Sequence, residues 1–121
     1  MAIGKEIGDF SLQTITTSYA EEGGVQVNLD GTATGYWTVL GTLIFRGEPG
    51  AKTGSLTWRG QGFLDNGDTI AGEGQGTWQE IGKHKWRTRL IVRTSDGGCH
   101  ASDGHLDLKS RTLVGKMLEW N

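Results

Sequence analysis

Lys83-His84-Lys85-Trp86-Arg87-Thr88-Arg89-Leu90-Ile91-Val92-Arg93-Thr94, followed by Ser95-Asp96-Gly97, decides the fold. Side chains of an extended chain alternate between two faces. Lys85, Arg87, Arg89 and Arg93 share one face, and His84, Trp86, Thr88, Leu90 and Val92 share the other. The charged face belongs in water and the other in a core, so the stretch reads as a half-buried strand. Ser95-Asp96-Gly97 suits a three-residue hairpin loop with glycine at its left-handed position. That loop pairs Thr94 with Gly98 and fixes the register of the next strand. Outside, Arg89 then faces Asp103 and Lys85 faces Asp107. Inside, Val92 faces His100, Leu90 faces Ser102 and Trp86 faces Leu106. A slip of one residue would turn every side chain over and lose both charge pairs.

The same alternation extends along the chain. Strands are expected near Asp9–Tyr19, Val25–Thr34, Tyr36–Arg46, Thr53–Leu64, Thr69–Gln79, Lys83–Thr94, Gly98–Asp107 and Thr112–Trp120. Asp30-Gly31 is either a hairpin turn or a bulge. All connections are short, so successive strands should be antiparallel neighbours. Asp65-Asn66-Gly67 suits a second three-residue hairpin loop and sets Trp58 against Gly74 and Arg59 against Glu73. A loop at Glu80–Gly82 would set Trp78 opposite His84, Gly76 opposite Trp86 and Glu73 opposite Arg89. Joining Arg46 to Thr53 would set Gly41 opposite Trp58 and Trp37 opposite Gly62. Trp37, Trp58, Trp78 and Trp86 then share the inward face, with large rings set against glycine.

Residues 1–121 are therefore expected to form a single all-β domain, an antiparallel up-and-down barrel of about eight strands. A two-sheet sandwich is the alternative. Closure is favoured because it removes edges, and one proline among 121 residues leaves little other edge protection.

Composition narrows the function classes. The net charge of −2 and the lack of a basic run speak against nucleic acid. Cys99 is the single cysteine, so an intrachain disulfide and a paired-cysteine zinc site are both excluded. The three histidines lack metal-like spacing, so neither a metal nor another cofactor is expected. No apolar run resembles a signal peptide or a membrane span, which leads to the expectation of a soluble, cytoplasmic protein without membrane partners. Gly72-Glu73-Gly74-Gln75-Gly76 lies within a strand with no helix after it, so it is not a phosphate loop.

The last hairpin carries the candidate chemistry. A four-residue loop, Leu108 to Arg111, pairs Asp107 with Thr112, Asp103 with Lys116, and His100 with Glu119. A His100–Glu119 pair at one end of an apolar barrel is the candidate acid–base unit. A three-residue loop would instead turn Glu119 outward. The tryptophans either fill a small core or wall a pocket, and an eight-stranded barrel is just wide enough for either. In the pocket reading Trp37, Trp58, Trp78, Trp86, Thr88, Leu90 and Ser102 contact the ligand. Val114, Leu118 and Trp120, with Ile91 and Ala101, form an outer apolar patch that suggests a homo-oligomer.

The run Gly41-Thr42-Leu43-Ile44-Phe45, then Thr53-Gly54-Ser55-Leu56, then Gly60–Gly62, resembles the small bacterial β-barrels grouped with the allene oxide cyclase barrel. The resemblance covers roughly Val25 to Gly76. It implies an eight-stranded calycin-like barrel, often oligomeric, with an apolar cavity. No motif matches a catalytic residue of that family. The functional expectation is a barrel that binds a small hydrophobic or aromatic molecule in its lumen, with cofactor-free isomerisation or cyclisation as the reaction such a cavity would support. The alternative is a non-catalytic module such as a sugar-binding β-sandwich.

Overall fold

The computed structural model describes residues 3–20 and 23–120. Eight strands follow in order: β1 (Ile3–Tyr19), β2 (Val25–Ala33), β3 (Tyr36–Arg46), β4 (Thr53–Phe63), β5 (Thr69–Gly82), β6 (Lys85–Thr94), β7 (Cys99–Asp107) and β8 (Thr112–Trp120). Each strand pairs antiparallel with the next, and β8 returns to β1. The sheet closes into one up-and-down barrel of calycin-like shape, which overturns the sandwich alternative. Closure gives every strand two hydrogen-bonding neighbours.

Inward aliphatic residues form the core. Leu29, Leu43, Leu56 and Leu106 are almost wholly removed from water. Each such side chain contributes about 1.5–3 kcal/mol relative to exposure. Aromatic rings complete the interior, and they lie on glycine. A Cβ on Gly41 would sit 2.5 Å from Cζ2 of Trp58, and one on Gly60 would sit 2.8 Å from Cε2 of the same ring. Phe10 lies in the same way over Gly104 and Gly115, and Tyr36 over Gly62. At the end bearing the β3–β4, β5–β6 and β7–β8 connections the rings meet each other. Phe45 packs edge-on against Trp78 at 6.3 Å and tilted against Trp86 at 6.5 Å. Trp78 donates its indole N–H to the Arg46 carbonyl at 2.9 Å, which satisfies the polar edge of a ring that is 8% exposed.

The β6–β7 and β7–β8 registers match the sequence reading throughout, as does β4–β5. Two others slide. β5 runs on to Gly82, and the chain reverses at Lys83-His84, with His84 in the left-handed region at φ 59°. This tighter turn moves Trp78 from His84 to Thr88, Gly76 from Trp86 to Leu90, and Glu73 from Arg89 to Arg93. On the other side Arg46 pairs with Ser55 rather than Thr53. Trp58 therefore faces Leu43, Gly41 faces Gly60, and Gly62 faces Val39. Both slides are even in residue number, so no side chain of these strands changes face.

Trp37 does change face. Gly31 pairs with Val39 but Ala33 with Tyr36, so an extra residue is inserted in β3 between them. A bulge of this kind breaks the alternation. Tyr36 takes the inward place on Gly62, and Trp37 is 65% exposed on the outside.

The outer face also differs from expectation. β1 begins at Ile3 rather than Asp9, and its first turns pair Ile3 with Trp120 and Glu6 with Leu118. Leu118 and Trp120 are thereby half-covered, and Ala101 is only 2% exposed, so Val114 is the one strongly exposed member of the expected patch. The expected Arg89–Asp103 contact is made diagonally by Arg87, whose Nε and Nη2 donate to the Asp103 carboxylate at 3.0 and 2.6 Å. Arg59–Glu73 at 3.6 Å and Lys85–Asp107 at 3.9 Å follow the expected pairs.

The ring-on-glycine packing makes a stability prediction. A Cβ on Gly115 would sit 2.5 Å from Gly104 Cα and 2.7 Å from the Phe10 ring, whereas one on Gly82 meets nothing closer than 4.0 Å. Gly115→Ala is expected to cost about 1–3 kcal/mol of overpacking. Gly82→Ala should stay within roughly 0.5 kcal/mol of wild type. Urea unfolding measures both, and equal midpoints for the two variants would reject this account of the core.

Candidate functional site

The barrel is filled at one end and hollow toward the other. Phe45, Trp78 and Trp86 occupy the filled end. Above them lies a cavity of about 100 Å³, whose walls are mainly apolar. It opens toward the end that carries the turns at Thr34-Gly35, Asp65–Gly67 and Ser95–Gly97. Phe10, Tyr36 and Trp58 supply aromatic wall, and Val39, Leu43, Leu90, Val92, Leu113 and Met117 supply aliphatic wall. The glycines explain the hollow. Gly60, Gly62 and Gly72 border the cavity without side chains, so the rings lie back against the wall instead of crossing the axis.

The polar groups on this wall are few and uncharged. Gln61, Thr88, Thr94, His100 and Ser102 border the cavity. Among the described residues no buried side-chain nitrogen or oxygen lacks a hydrogen-bond partner. Burial pushes the His100 imidazole below its usual 6.5, so the ring is neutral at pH 7. Burial likewise pushes the Tyr36 phenol up from 10.0, and the nearby Asp96 charge adds to that rise. The carboxylates lie outside, at the rim. Asp96 is fully exposed and held below the usual carboxylate range, first by the Thr94 hydroxyl and then by the Gly98 N–H. Asp65 and Asp68 sit on the neighbouring turn, where Asp68 accepts from the Asn66 side chain. The rim is therefore acidic, while Lys83, Lys109 and Arg111 lie at the opposite, filled end.

The residues named from the sequence separate into two groups. Trp58, Thr88, Leu90, His100 and Ser102 border the cavity. Trp78 and Trp86 close the filled end beneath it, and Trp37 lies outside the barrel. Glu119 faces His100 in register, but its carboxylate accepts the Lys5 backbone N–H at 3.1 Å. Burial is what lowers the His100 imidazole. The two groups are neighbours in the sheet without forming a hydrogen-bonded acid–base unit among the described residues.

Phe10, Tyr36 and Thr94 belong to the cavity and were not singled out from the sequence. Phe10 had a readable signal, because Phe10 and Leu12 alternate with Asp9, Ser11 and Gln13. Tyr36 had none, because the bulge that turns it inward leaves no trace in the alternation. Thr94 entered the sequence reading only as the hairpin partner of Gly98, and its place at the rim depends on how that hairpin stands relative to Tyr36.

His100 yields a pH prediction. Its folded pKa is lowered, so the unfolded chain holds the proton more tightly. The contribution of neutral His100 to stability is complete above pH 6.5 and is lost as the pH falls through 6.5 toward the lower folded value. Its ring C–H resonance should titrate with a midpoint below 6.5, and His100→Gln should flatten the loss of stability just below that pH. A native midpoint at or above 6.5 would contradict the buried placement. In comparisons with known proteins, no family model, curated protein or solved structure matches this chain.

Proposed function

We propose that the protein binds a small, ring-sized hydrophobic molecule in the open half of its barrel. The observation that carries this reading is the apolar cavity of about 100 Å³ beside Trp58, Tyr36 and Phe10. An apolar cavity of about 150 Å³ accepts benzene, so this lumen is of the right order for one aromatic ring. A long chain would have to protrude through the rim. Burying roughly 150 Å² of apolar ligand surface at about 25 cal/mol per Å² supplies about 4 kcal/mol, which corresponds to a Kd on the order of 1 mM before polar contacts add to it.

The proposed likeness to the allene oxide cyclase barrels supports the same kind of lumenal, apolar ligand. Binding is favoured over isomerisation or cyclisation because the Glu119 carboxylate is engaged by Lys5 rather than by His100. The wall groups orient a ligand, and none of them is set up as a proton-transfer pair.

Titration with toluene, followed through methyl resonances of Leu43, Leu90 and Val92, tests the proposal. Saturable shifts confined to these groups are expected, with a Kd of about 1 mM or tighter. Val39→Phe, which fills the space, should abolish them while leaving the unfolding transition cooperative. Shifts spread over the outer face, or undiminished in Val39→Phe, would place the binding elsewhere.

A further inference from the structure

Thr88 and Ser102 are the two buried polar side chains among the described residues, 1% and 8% exposed, and both border the cavity. The register sets them side by side on one wall. Thr88 pairs with Gly104, and Ser102 lies two residues before Gly104 on the same inward face of β7. Such diagonal neighbours lie about 7–8 Å apart, so one ligand atom between them can reach both hydroxyls. His100 continues the line toward the rim, two residues further along β7 and opposite Val92. Burial keeps its imidazole neutral at pH 7, and a neutral imidazole has one donor and one acceptor.

The opposite wall has a different character. The barrel order sets β3 across the lumen from β7. Below the Tyr36 ring, β3 lines the cavity with Val39 and Leu43, and Trp58 stands beside them on β4. The lumen therefore has a polar stripe on β6–β7 and an apolar wall facing it. A hydroxyl carries one proton and two lone pairs, so it still accepts from a ligand after giving its proton to the protein. A wholly apolar guest leaves that capacity unused. Among the described residues no cationic or anionic side chain borders the cavity, so a charged guest would find no counter-ion inside.

We propose that the lumen takes a two-sided ring, an uncharged aromatic molecule with one hydroxyl or amino group, seated with that polar edge on Thr88 and Ser102 and its apolar body against Val39, Leu43 and Trp58. This rests on the lumenal binding reading above and specifies the ligand class and its orientation. Thr88 and Ser102 are then the residues that determine specificity, and they distinguish such a ring from a bare hydrocarbon of the same size.

Phenol and toluene are matched probes, a hydroxyl in one standing where the other has a methyl. Their dissociation constants are measured by NMR titration of the full chain. In an all-apolar cavity phenol would bury its hydroxyl unpaired and bind at least roughly thirtyfold more weakly than toluene. Here it should bind within about tenfold of toluene. Thr88→Val and Ser102→Ala each remove one hydroxyl, and each should weaken phenol roughly three- to tenfold while toluene binds as tightly as before or tighter. Toluene binding in these variants also shows that the lumen is intact. Thr88→Ser keeps the oxygen and should hold phenol near its wild-type Kd. Nuclear Overhauser contacts from the phenol ortho protons are expected at the methyls of Leu90 and Met117, which flank Ser102 in register. A phenol-to-toluene ratio of Kd that stays the same in wild type, Thr88→Val and Ser102→Ala would overturn the assignment and leave the lumenal site standing. If neither probe perturbs the lumenal methyl resonances of Leu43, Leu90 and Val92, the lumenal reading fails and the ligand class fails with it.

Discussion

An eight-stranded barrel has an interior only wide enough for side chains or for one small guest. Several large rings of this barrel enter that space where the opposing wall has no Cβ. That constraint organises this molecule. Trp58 lies over Gly41 and Gly60, Phe10 over Gly104 and Gly115, and Tyr36 over Gly62. Where a ring lies flat on glycine it leaves the axis clear. Where rings turn on each other, as Phe45, Trp78 and Trp86 do, the axis is blocked. Filling and hollowing are thus two outcomes of the same residue types. A core of tryptophan and glycine closes one end of the barrel and opens the other.

The outer charges have a different role. Arg87 and Asp103 make the best-aligned ion pair, yet both side chains keep about a third of their surface in water. The Asp103 carboxyl is lowered chiefly by the Arg87 hydrogen bonds, and solvent screening reduces what that adds to stability. Such pairs contribute more to register than to free energy. A one-residue slip of β6 against β7 would bring Arg87, Arg89 and Lys85 into the lumen, where no counter-ion borders the cavity among the described residues. The penalty for the wrong register exceeds the gain from the right one.

This also explains which parts of the structure were legible in the sequence. The β6–β7 register was readable because Ser95-Asp96-Gly97 specifies a loop length and two opposite-charge pairs agree with it. The β5–β6 register was not, because Lys83-His84 reverses the chain with a non-glycine residue in the left-handed region, and no residue type announces that. The resulting slide was even, so inward residues stayed inward and Trp58, Thr88, Leu90 and Ser102 were placed on the correct face. The bulge in β3 was odd, and it exchanged Trp37 for Tyr36. Alternation identifies faces but carries no information about inserted residues. The site residue lost was therefore the one next to the insertion.

The exchange matters chemically as well as sterically. An indole at this place would have brought only a donor to the rim, because its nitrogen has no lone pair in the ring plane to offer. A phenol both donates and accepts, so its role depends on its partner. Tyr36 and Thr94 both border the cavity, and the Thr94 hydroxyl donates to Asp96 at the rim. The two hairpins that meet at the rim, Thr34-Gly35 and Ser95–Gly97, are far apart in the chain, and only barrel closure brings them to the same opening. Any ligand specificity of the lumen then depends on that closure, because Tyr36 and Thr94 border one cavity from different hairpins.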